Sequence, residues 1–247
     1  MTVRTLLMTL AGPQQAWGSR SRFATRGTER APTRSGVLGL VAAALGMDRT
    51  DPLDRLAAIR FGVRIDQPGT IERDFQTART LDGKTSMPLS QRYYLADAVF
   101  VAGLESDDET LLDEIHAALR RPRYPLFLGR RAFPPARPIP AAIVDGTVRD
   151  ALSAAPWQAS PQSQRRNISS LEILVDAAPG EPVDLSLEDD PISFDPRRRR
   201  HGWRDVRVLT VAVPGREEEP PTSLPPRRNG FIPKPHDPML LVSDKEV

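Results

Sequence analysis

The order of apolar patterns in the first 120 residues constrains the fold of this chain more than any other feature of its sequence. Residues 3–10 are apolar and β-compatible, which predicts a first strand. Residues 35–46 begin with Ser35 as the expected helix cap, end with Gly46 and are apolar on nearly every side, so they predict a buried helix. In residues 59–66, apolar side chains alternate with polar ones that include Arg60 and Arg64. This alternation predicts a half-buried strand whose arginines line its other face.

Two further elements complete the order. Residues 93–104 are apolar and predict the next strand, and residues 107–121 predict an amphipathic helix with Asp107 or Asp108 as its N-cap. The apolar stripe of that helix consists of Leu111, Leu112, Ile115, Ala118 and Leu119. Residues 67–91 lack this apolar periodicity and contain Gly, Pro, Thr and scattered charges, which indicates an insertion. The order β-α-β-(insertion)-β-α is most of a ferredoxin-like unit, whose antiparallel sheet is also the RRM architecture.

The pattern loosens after residue 121. Residues 121–140 are punctuated by proline, which predicts irregular or edge-strand structure, and residues 146–157 predict a short helix. Residues 171–177 and 203–214 predict two strands around an acidic loop. Residues 215–247 contain PPTSLPPRRN and PKPHDP, which predict an extended or disordered tail.

Composition excludes several functional classes. The chain has no cysteine, and therefore no disulfide framework, thiol nucleophile or thiolate metal site. Its three histidines, His116, His201 and His236, are widely separated, which argues against a zinc site. No run approaches the roughly 18 apolar residues needed to span a bilayer, and the N-terminus has too short an apolar core for a secretory signal. We expect a cytoplasmic protein that needs no metal or cofactor and has no membrane partner.

The near-neutral charge of the chain conceals a separation of signs. The formal net charge is +2, from 34 basic and 32 acidic residues, and the basic residues are 31 arginines and three lysines. A GC-rich genome is one explanation of such an arginine bias. Arginines concentrate in residues 1–47, 120–137 and 197–204, whereas acids concentrate in residues 97–114 and 167–196. Each cluster alone is equally consistent with a solvated loop, but three basic clusters together indicate a nucleic-acid footprint.

Two stretches carry the chemistry. The first, LAGPQQAWGSRSRFATRGTERAPTRSGVLGL, joins the first strand to the buried helix through glycines and arginines that can surround phosphates. It lacks the G-x-x-x-x-G-K-[ST] pattern, so nucleotide hydrolysis has no support. Trp17 is a candidate for base stacking, although an isolated Trp beside a strand is more often packing. The second stretch, PRYPLFLGRRAF, interleaves arginines with aromatic residues, as single-stranded RNA sites do, or forms a proline-rich edge with the aromatics inside.

Four segments, in this order and spacing, resemble the CasD family of type I-E CRISPR Cascade, whose members hold the 5′ end of the guide RNA in antiviral defence. They are LAGPQQAWG, PTRSGVLGLVAAALG, SQRYYLADAVFVAGL and PRYPLFLGRR. The resemblance covers residues 3–140 strongly and the remainder weakly. It does not extend to the arginine run at residues 197–200 or to the proline-rich tail. That run either touches RNA or displaced DNA or remains solvated, and we favour the solvated interpretation.

The resemblance implies an α+β fold: a modified ferredoxin-like (RRM-like, RAMP) domain with a β-hairpin thumb and a smaller, mostly β C-terminal part. The corresponding boundaries are residues 1–140 with a thumb at 67–91, residues 141–214, and a tail at 215–247. Carried over by position, the expected RNA-binding residues are Gln15, Trp17, Gly18, Arg20, Arg22, Arg26, Arg34, Ser35, Arg123, Tyr124, Arg130 and Arg131. The expected thumb residues are Arg73, Arg79, Lys84 and Met87.

The implied function is a non-catalytic, RNA-binding subunit of a ribonucleoprotein complex. Its implied partners are the 5′ handle of the crRNA, the Cascade backbone subunit and the large subunit, with target DNA reached indirectly through the complex. The alternative is a metal-independent endoribonuclease that processes precursor crRNA, and a purely structural scaffold is a third class. A nuclease needs a general base, and His201, within RRRRHGW, is the only histidine in a phosphate-attracting stretch.

Overall fold

The computed structural model describes residues 3–18 and 25–216. Its strands among these residues are β1 (Arg4–Ala11), β2 (Gln14–Gln15), β3 (Thr25–Arg26), β4 (Arg60–Gln67), β5 (Thr70–Gln76), β6 (Ser90–Ala96), β7 (Val99–Ser106), β8 (Ala141–Asp145), β9 (Ser170–Asp176), β10 (Leu185–Ser193) and β11 (Arg200–Ala212). Its helices are α1 (Arg34–Leu45), α2 (Asp54–Ala57), α3 (Glu109–Arg120), α4 (Val148–Ala154) and α5 (Pro161–Gln164). No helix in these two described stretches is long and apolar enough to cross a membrane.

A seven-stranded sheet organises the chain, in the order β10-β11-β9-β4-β7-β1-β8. Every neighbouring pair in it is antiparallel. The centre of the sheet comes from the first 106 residues, and strands from the C-terminal part extend it on both sides. Residue 140 is the expected end of the first domain, and strands from both sides of that position share this sheet. Residues up to 216 group into one compact unit.

The two faces of the sheet are covered by different helices. On one face, α1 and α3 pack over alternate residues of the central strands, among them Leu6, Leu10 and Phe100, which are fully buried. On the other face, Val148 and Leu152 of α4 form a second apolar cluster. Helix α4 approaches the sheet closely at Gly62 and Gly103, which face each other across β4 and β7. A Cβ at either glycine would lie 2.7–3.0 Å from the Val148 Cγ2 atom, so a larger residue at either position would force α4 or the Val148 side chain to shift.

A second, smaller sheet is centred on β6. Strand β5 pairs with β6 along its whole length to form a hairpin, and β2 and β3 pair with the other edge of β6. The prediction of one strand over residues 93–104 was wrong. Asp97 adopts a positive φ of 54°, which turns the chain between β6 and β7 and sends them into different sheets. Aspartate tolerates this left-handed conformation better than most residues do.

Three other expectations need correction. Thr33, not Ser35, caps α1, since its side chain accepts from the backbone N–H of Gly36. The acidic loop predicted between the last two strands contains a further strand, β10. Arg64 does not lie on an open face of β4 but is fully buried, because α4 covers that face. All but the first two residues of the predicted tail at 215–247 lie outside the described residues.

Candidate nucleic-acid interface

Three arginines from separate parts of the chain meet beside β6. Arg26 of β3 lies opposite Arg92 of β6 in the small sheet. Arg130 reaches them from the irregular segment after α3, where its Nη2 donates to the carbonyl oxygens of Arg26 and Gly27 at 3.0 and 3.3 Å. Among the described residues, none of the three forms an ion pair with an acid. We call Arg26, Arg92 and Arg130 the arginine cluster.

The chemistry of the cluster is that of a site for an anion. Burial lowers the pKa of Arg130, and the neighbouring charges of Arg92 and Arg26 lower it further. The Nε atom of Arg92 is out of contact with solvent and has no hydrogen-bond acceptor among the described residues. Like charges held together and a buried donor left unpaired both destabilise the free protein. A phosphate between the guanidiniums would remove both penalties, because it accepts bidentate, charge-assisted hydrogen bonds.

A cavity of about 660 Å³ opens beside the cluster. Three parts of the chain line it: the loop before α1 together with the first turn of that helix, the Gly129–Arg130 segment, and the β10–β11 hairpin. The lining residues are Ala16, Trp17, Gly18, Arg26, Gly27, Thr33, Ser35, Gly36, Gly129, Arg130, Glu188, Arg199 and His201. The fold therefore brings together residues of all three arginine-rich stretches of the sequence.

Close backbone packing shapes the cavity wall. Gly129 has a positive φ of 86°, and a Cβ on it would lie 1.7 Å from the carbonyl oxygen of Ala16. In the same wall, the backbone N–H of Ala16 donates to the carbonyl of Leu128 at 3.1 Å. The loop before α1 and the segment after α3 are therefore held in contact at their backbones, which sets the position of Arg130 beside Arg26.

The third wall comes from the β10–β11 hairpin, which supplies Glu188, Arg199 and His201. Burial lowers the pKa of His201, and the adjacent Arg199 lowers it further, while the carboxylates of Glu188, Asp189 and Asp190 act in the opposite direction. The Nε2 atom of His201 is buried without a hydrogen-bond partner among the described residues. The imidazole is therefore mostly neutral near pH 7.

Beneath this wall lies a network of buried ion pairs that joins α1 to the sheet. Arg204 donates from Nε and Nη2 to both oxygens of Asp189 and from Nη1 to Asp176, each at 2.8 Å. Arg34 donates from Nη1 to Asp176 at 2.7 Å, and its backbone N–H donates to Asp189 at 2.8 Å. Burial alone lowers the pKa of Arg204, but its hydrogen bonds to Asp189 and Asp176 outweigh that effect and raise it overall. We call Arg34, Arg204, Asp176 and Asp189 the buried network.

Several residues expected to bind RNA are instead structural. Arg34 is only 7% exposed and belongs to the buried network, so its guanidinium is not offered to a ligand. Trp17 is fully buried, and its Nε1 donates to the Gln15 side chain, which in turn donates to the carbonyl of Ala98. The stacking role of Trp17 is therefore corrected to packing, since no face of its indole is accessible. Ser35 is also buried, although it borders the cavity.

The second expected stretch is divided between two places. Arg130 lies in the arginine cluster, and Arg131 is exposed beside it in sequence. Arg123 and Tyr124 lie at the other end of α1, where their backbone N–H groups donate to the carbonyls of Ala44 and Ala43. Because a 12-residue helix is about 18 Å long, these two residues do not share a site with Arg130. Gly18 and Arg26 border the cavity as expected, while Arg20 and Arg22 lie outside the described residues.

The expected thumb residues lie on the β5–β6 hairpin, and all four are exposed: Arg73, Arg79, Lys84 and Met87. The strand register separates the two faces of the hairpin. Arg73 shares a face with Tyr93, whereas Arg92 and Tyr94 point to the opposite face, where the Tyr94 ring lies 5.6 Å from that of Phe133. Arg73 therefore faces away from the arginine cluster.

Sequence reasoning missed Arg92 and Arg199 as candidate site residues. Arg92 had no signal, because its role depends on pairing between β3 and β6, two segments far apart in sequence. Arg199 had one, since it lies in a run of four arginines, but that run was interpreted as solvated. No cluster of histidine and carboxylate side chains within residues 3–18 and 25–216 is arranged to hold a metal ion.

Comparisons with known proteins agree on one group of relatives. The family described as CRISPR-associated protein (Cas_Cas5) matches residues 5–207. The CRISPR system Cascade subunit CasD of Escherichia coli (strain K12) is 34% identical over 153 residues, which cover 54% of this chain and 68% of that protein. The crystal structure of a Cas protein superposes with a TM-score of 0.67 at 36% identity, covering 85% of this chain and 95% of the other. A chain of a CRISPR RNA-guided surveillance complex gives 0.70 at 34% identity, covering 85% and 91%.

Proposed function

This chain belongs to the Cas5 family of CRISPR-associated proteins, and within it to the CasD proteins, and on that premise we propose that it holds the 5′ handle of the guide RNA in a type I-E CRISPR surveillance complex, Cascade. It does so as an RNA-binding subunit without catalytic activity. The observation that carries this proposal is the arginine cluster: three guanidiniums that form no ion pair with an acid among the described residues, two of which, those of Arg26 and Arg130, line a cavity.

The arrangement suits a bent single strand. Phosphate contacts from Arg26, Arg92 and Arg130 supply affinity that depends on salt, because each neutralised phosphate releases counterions. A cavity of about 660 Å³ lies within the range that ligand pockets span, so it has room for a nucleotide turned out of the strand. Phosphate contacts position the strand, while base contacts in such a cavity give sequence preference.

The strand order supports a modified ferredoxin-like, RAMP-type fold. The elements β1-α1-β4-β7-α3-β8 follow the β-α-β-β-α-β sequence, and their strands lie side by side in the order β8-β1-β7-β4. In the chain, the β5–β6 hairpin is inserted between β4 and β7, the second and third strands of this unit. We assign this hairpin as the thumb, which separates the handle from the spacer.

The thumb also supports contact with other subunits. It carries five exposed large apolar side chains: Ile71, Phe75, Leu81, Met87 and Leu89. A monomer gains nothing from apolar side chains in water, so such a concentration marks a surface that a partner covers. We assign the Cascade backbone subunit and the large subunit as partners, with target DNA reached through the assembled complex. The assembly works in the cytoplasm.

A metal-independent endoribonuclease is the alternative, with His201 as its general base. An imidazole with a lowered pKa is able to accept a proton at pH 7. A catalytic histidine is generally oriented by a hydrogen bond to a third group, and His201 has none among the described residues. We therefore favour binding without cleavage.

Two arginines of one segment give a matched test of RNA binding. Arg130→Ala removes a member of the cluster, whereas Arg123→Ala removes an exposed arginine at the far end of α1. We expect Arg130→Ala to weaken binding of a guide RNA carrying the repeat-derived 5′ handle about tenfold, since charge-assisted hydrogen bonds contribute roughly 1.5–3 kcal/mol. The slope of log affinity against log salt should fall by about 0.7 for each lost phosphate contact. Arg123→Ala should leave both quantities unchanged.

Two outcomes would count against the proposal. Equal effects of Arg130→Ala and Arg123→Ala on RNA affinity would mean that the arginine cluster contributes only general electrostatic attraction and is not a specific binding site. Equal affinity for the handle RNA and a scrambled RNA would favour the scaffold interpretation. Incubation of the purified protein with labelled precursor RNA, without metal, tests the nuclease directly: discrete cleavage that His201→Ala abolishes would replace our assignment.

A further inference from the structure

We propose that Arg199 is a further phosphate-contacting residue of the cavity, and that the buried ion pair between Asp189 and Arg204 is the device that positions it. This inference rests on the proposed function and extends the RNA surface into the arginine run at residues 197–200. It assigns a role to one arginine of that run and to two residues that never touch the ligand.

Arg199 is placed for such a contact. It immediately precedes β11, its side chain is exposed, and it lines the same cavity as Arg26 and Arg130. Among the described residues, Arg199 forms no ion pair or hydrogen bond through its side chain. Its neighbours in the run, Arg197 and Arg198, lie in the turn after β10 and do not line the cavity. One arginine of the four is therefore distinguished by position.

A bulge in the hairpin prepares this geometry. Leu187 pairs with Arg204 and Asp190 pairs with Gly202, so three steps along β10 match two steps along β11. The extra residue changes the alternation of β10 and brings both Asp189 and Asp190 to the side of Arg34. A bulge that re-aims side chains beside a site is a common device in sheets. Here it turns Asp189 into the interior, where its side chain is fully buried.

Asp189 then ties the hairpin to helix α1. One of its oxygens accepts both from Nη2 of Arg204 and from the backbone N–H of Arg34, the first residue of that helix. The loop that carries Arg26 leads into the same helix end, and Ser35 and Gly36 line the cavity. The ion pair therefore fixes the third wall relative to the first two.

A second anchor holds the other end of the turn. Phe194 follows β10 and packs its half-buried ring on α1, where a Cβ added at Gly39 would lie 3.7 Å from the ring. The chain between Phe194 and Arg204 is thus held at both ends by buried contacts. Arg199 lies between these anchors, so its backbone is held in place before any RNA arrives, and less ordering is required on binding.

The test uses the full-length protein and a fluorescently labelled guide RNA that carries the repeat-derived 5′ handle, titrated at several salt concentrations. Arg199→Ala should weaken binding about tenfold and lower the salt slope by about 0.7. Arg198→Ala, which removes an identical charge one residue away, should change affinity less than about twofold.

Positioning is tested in a background where both charges of the ion pair are removed. Asp189→Asn with Arg204→Met keeps the shapes close and leaves no unpaired buried charge in the pair. In this background, Arg199→Ala should lose most of its effect, falling from about tenfold to less than about twofold. If the ion pair has only a structural role, its removal would lower the thermal midpoint of the protein but leave the effect of Arg199→Ala on RNA affinity intact. If this double variant does not fold, Phe194→Leu loosens the other anchor and should reduce the effect of Arg199→Ala in the same direction.

The outcomes separate this inference from the proposed function. If Arg130→Ala weakens binding and Arg199→Ala does not, the contact assigned to Arg199 is wrong and the handle-binding function stands. If Arg199→Ala keeps its full effect when the ion pair is absent, the positioning role is overturned. If neither arginine matters, the proposed function itself fails.

Discussion

Gly129 lies against the backbone of Ala16 so closely that a Cβ on Gly129 would come within 1.7 Å of the Ala16 carbonyl oxygen. The two residues are more than a hundred positions apart, and their contact closes one wall of the cavity. Gly129 also has a positive φ of 86°, which residues with a side chain rarely adopt. Both the conformation and the contact therefore require glycine.

Gly129→Ala should destabilise the protein by about 3 kcal/mol or more, because strain at positive φ and overpacking act together. Gly83→Ala is the matched control, since Gly83 also has a positive φ of 69° but has nothing within 4 Å of an added Cβ. We expect Gly83→Ala to cost about 1 kcal/mol. Urea unfolding measures both, and similar losses would show that the contact with Ala16 yields easily.

Arg64 and Asp66 form a pair with no exposure of either side chain. All five N–H groups of the Arg64 guanidinium have acceptors: the two Asp66 oxygens and the carbonyls of Leu152, Ala155 and Pro156. Arg64→Met should cost about 3–5 kcal/mol in free energy of unfolding, because it leaves a buried carboxylate without its partner.

The double variant Arg64→Met with Asp66→Asn should recover part of that loss, since it removes the unpaired charge while Asn keeps an acceptor for the backbone N–H of Gln158. Chemical denaturation of the three proteins gives the comparison. A double variant no more stable than Arg64→Met would mean that the carbonyl contacts, not the charge of Asp66, account for the loss.

The stability of the free protein should fall in mild acid because of His201. The folded-state pKa of His201 lies below the ordinary 6.5, so protons bind the unfolded chain more readily. The contribution of neutral His201 to the free energy of unfolding is complete above pH 6.5 and is lost as pH falls from there through the lower pKa of the folded state. The carboxylates Asp108 and Asp184 also have lowered pKa values, from 3.8, and act only in stronger acid. His201→Gln should reduce the fall of the thermal midpoint as pH drops below about 6.5, and thermal unfolding followed at several pH values measures this difference.

Guide RNA should reverse that preference. A phosphate in the cavity favours the imidazolium form of His201, whose charged neighbours are Arg199, Glu188, Asp189 and Asp190. Binding then takes up a proton, and affinity should rise as pH falls from about 7.5 to 5.5. Fluorescence titration measures this trend, and His201→Gln should remove it. An affinity independent of pH in the unsubstituted protein would mean that no phosphate lies near His201.

The exposed apolar side chains of the thumb should matter for assembly and not for folding. Phe75 is 64% exposed and Ile71 is 65% exposed, on the hairpin face opposite Arg92. Phe75→Ser should change the thermal midpoint little, yet reduce incorporation into Cascade when subunits are co-expressed. Glu72→Ser, on the other face of β5, is the control. Equal incorporation of both variants would argue that this apolar face stays in water.

Periodicity in the sequence predicted the main elements well. The alternation in β4 and the apolar stripe of α3 report local geometry, which depends on neighbours a few residues away. The turn at Asp97 was missed because an apolar run continues on both sides of it. The burial of Arg64 was missed because alternation does not reveal that α4, more than 80 residues later, covers the second face.

The candidate site was harder to predict for the same reason. The arginine-rich stretches were recognised, but their members divide between the cavity, the buried network and the far end of α1. Arg34 and Arg130 look alike in sequence, and only long-range contacts with Asp176 in one case and Arg92 in the other separate them. A prediction from charge alone finds the stretches and not the residues within them.

The position of β11 near the end of the described residues also determines when the cavity is completed during synthesis of the protein. Strand β11 pairs with both β9 and β10, and its first residues complete the cavity begun by the loop before α1. A nascent chain that has reached residue 140 contains the arginine cluster but lacks Arg199, His201 and both members of the Asp189–Arg204 ion pair. Guide RNA therefore encounters a complete cavity only after β11 has left the ribosome and paired with β9 and β10.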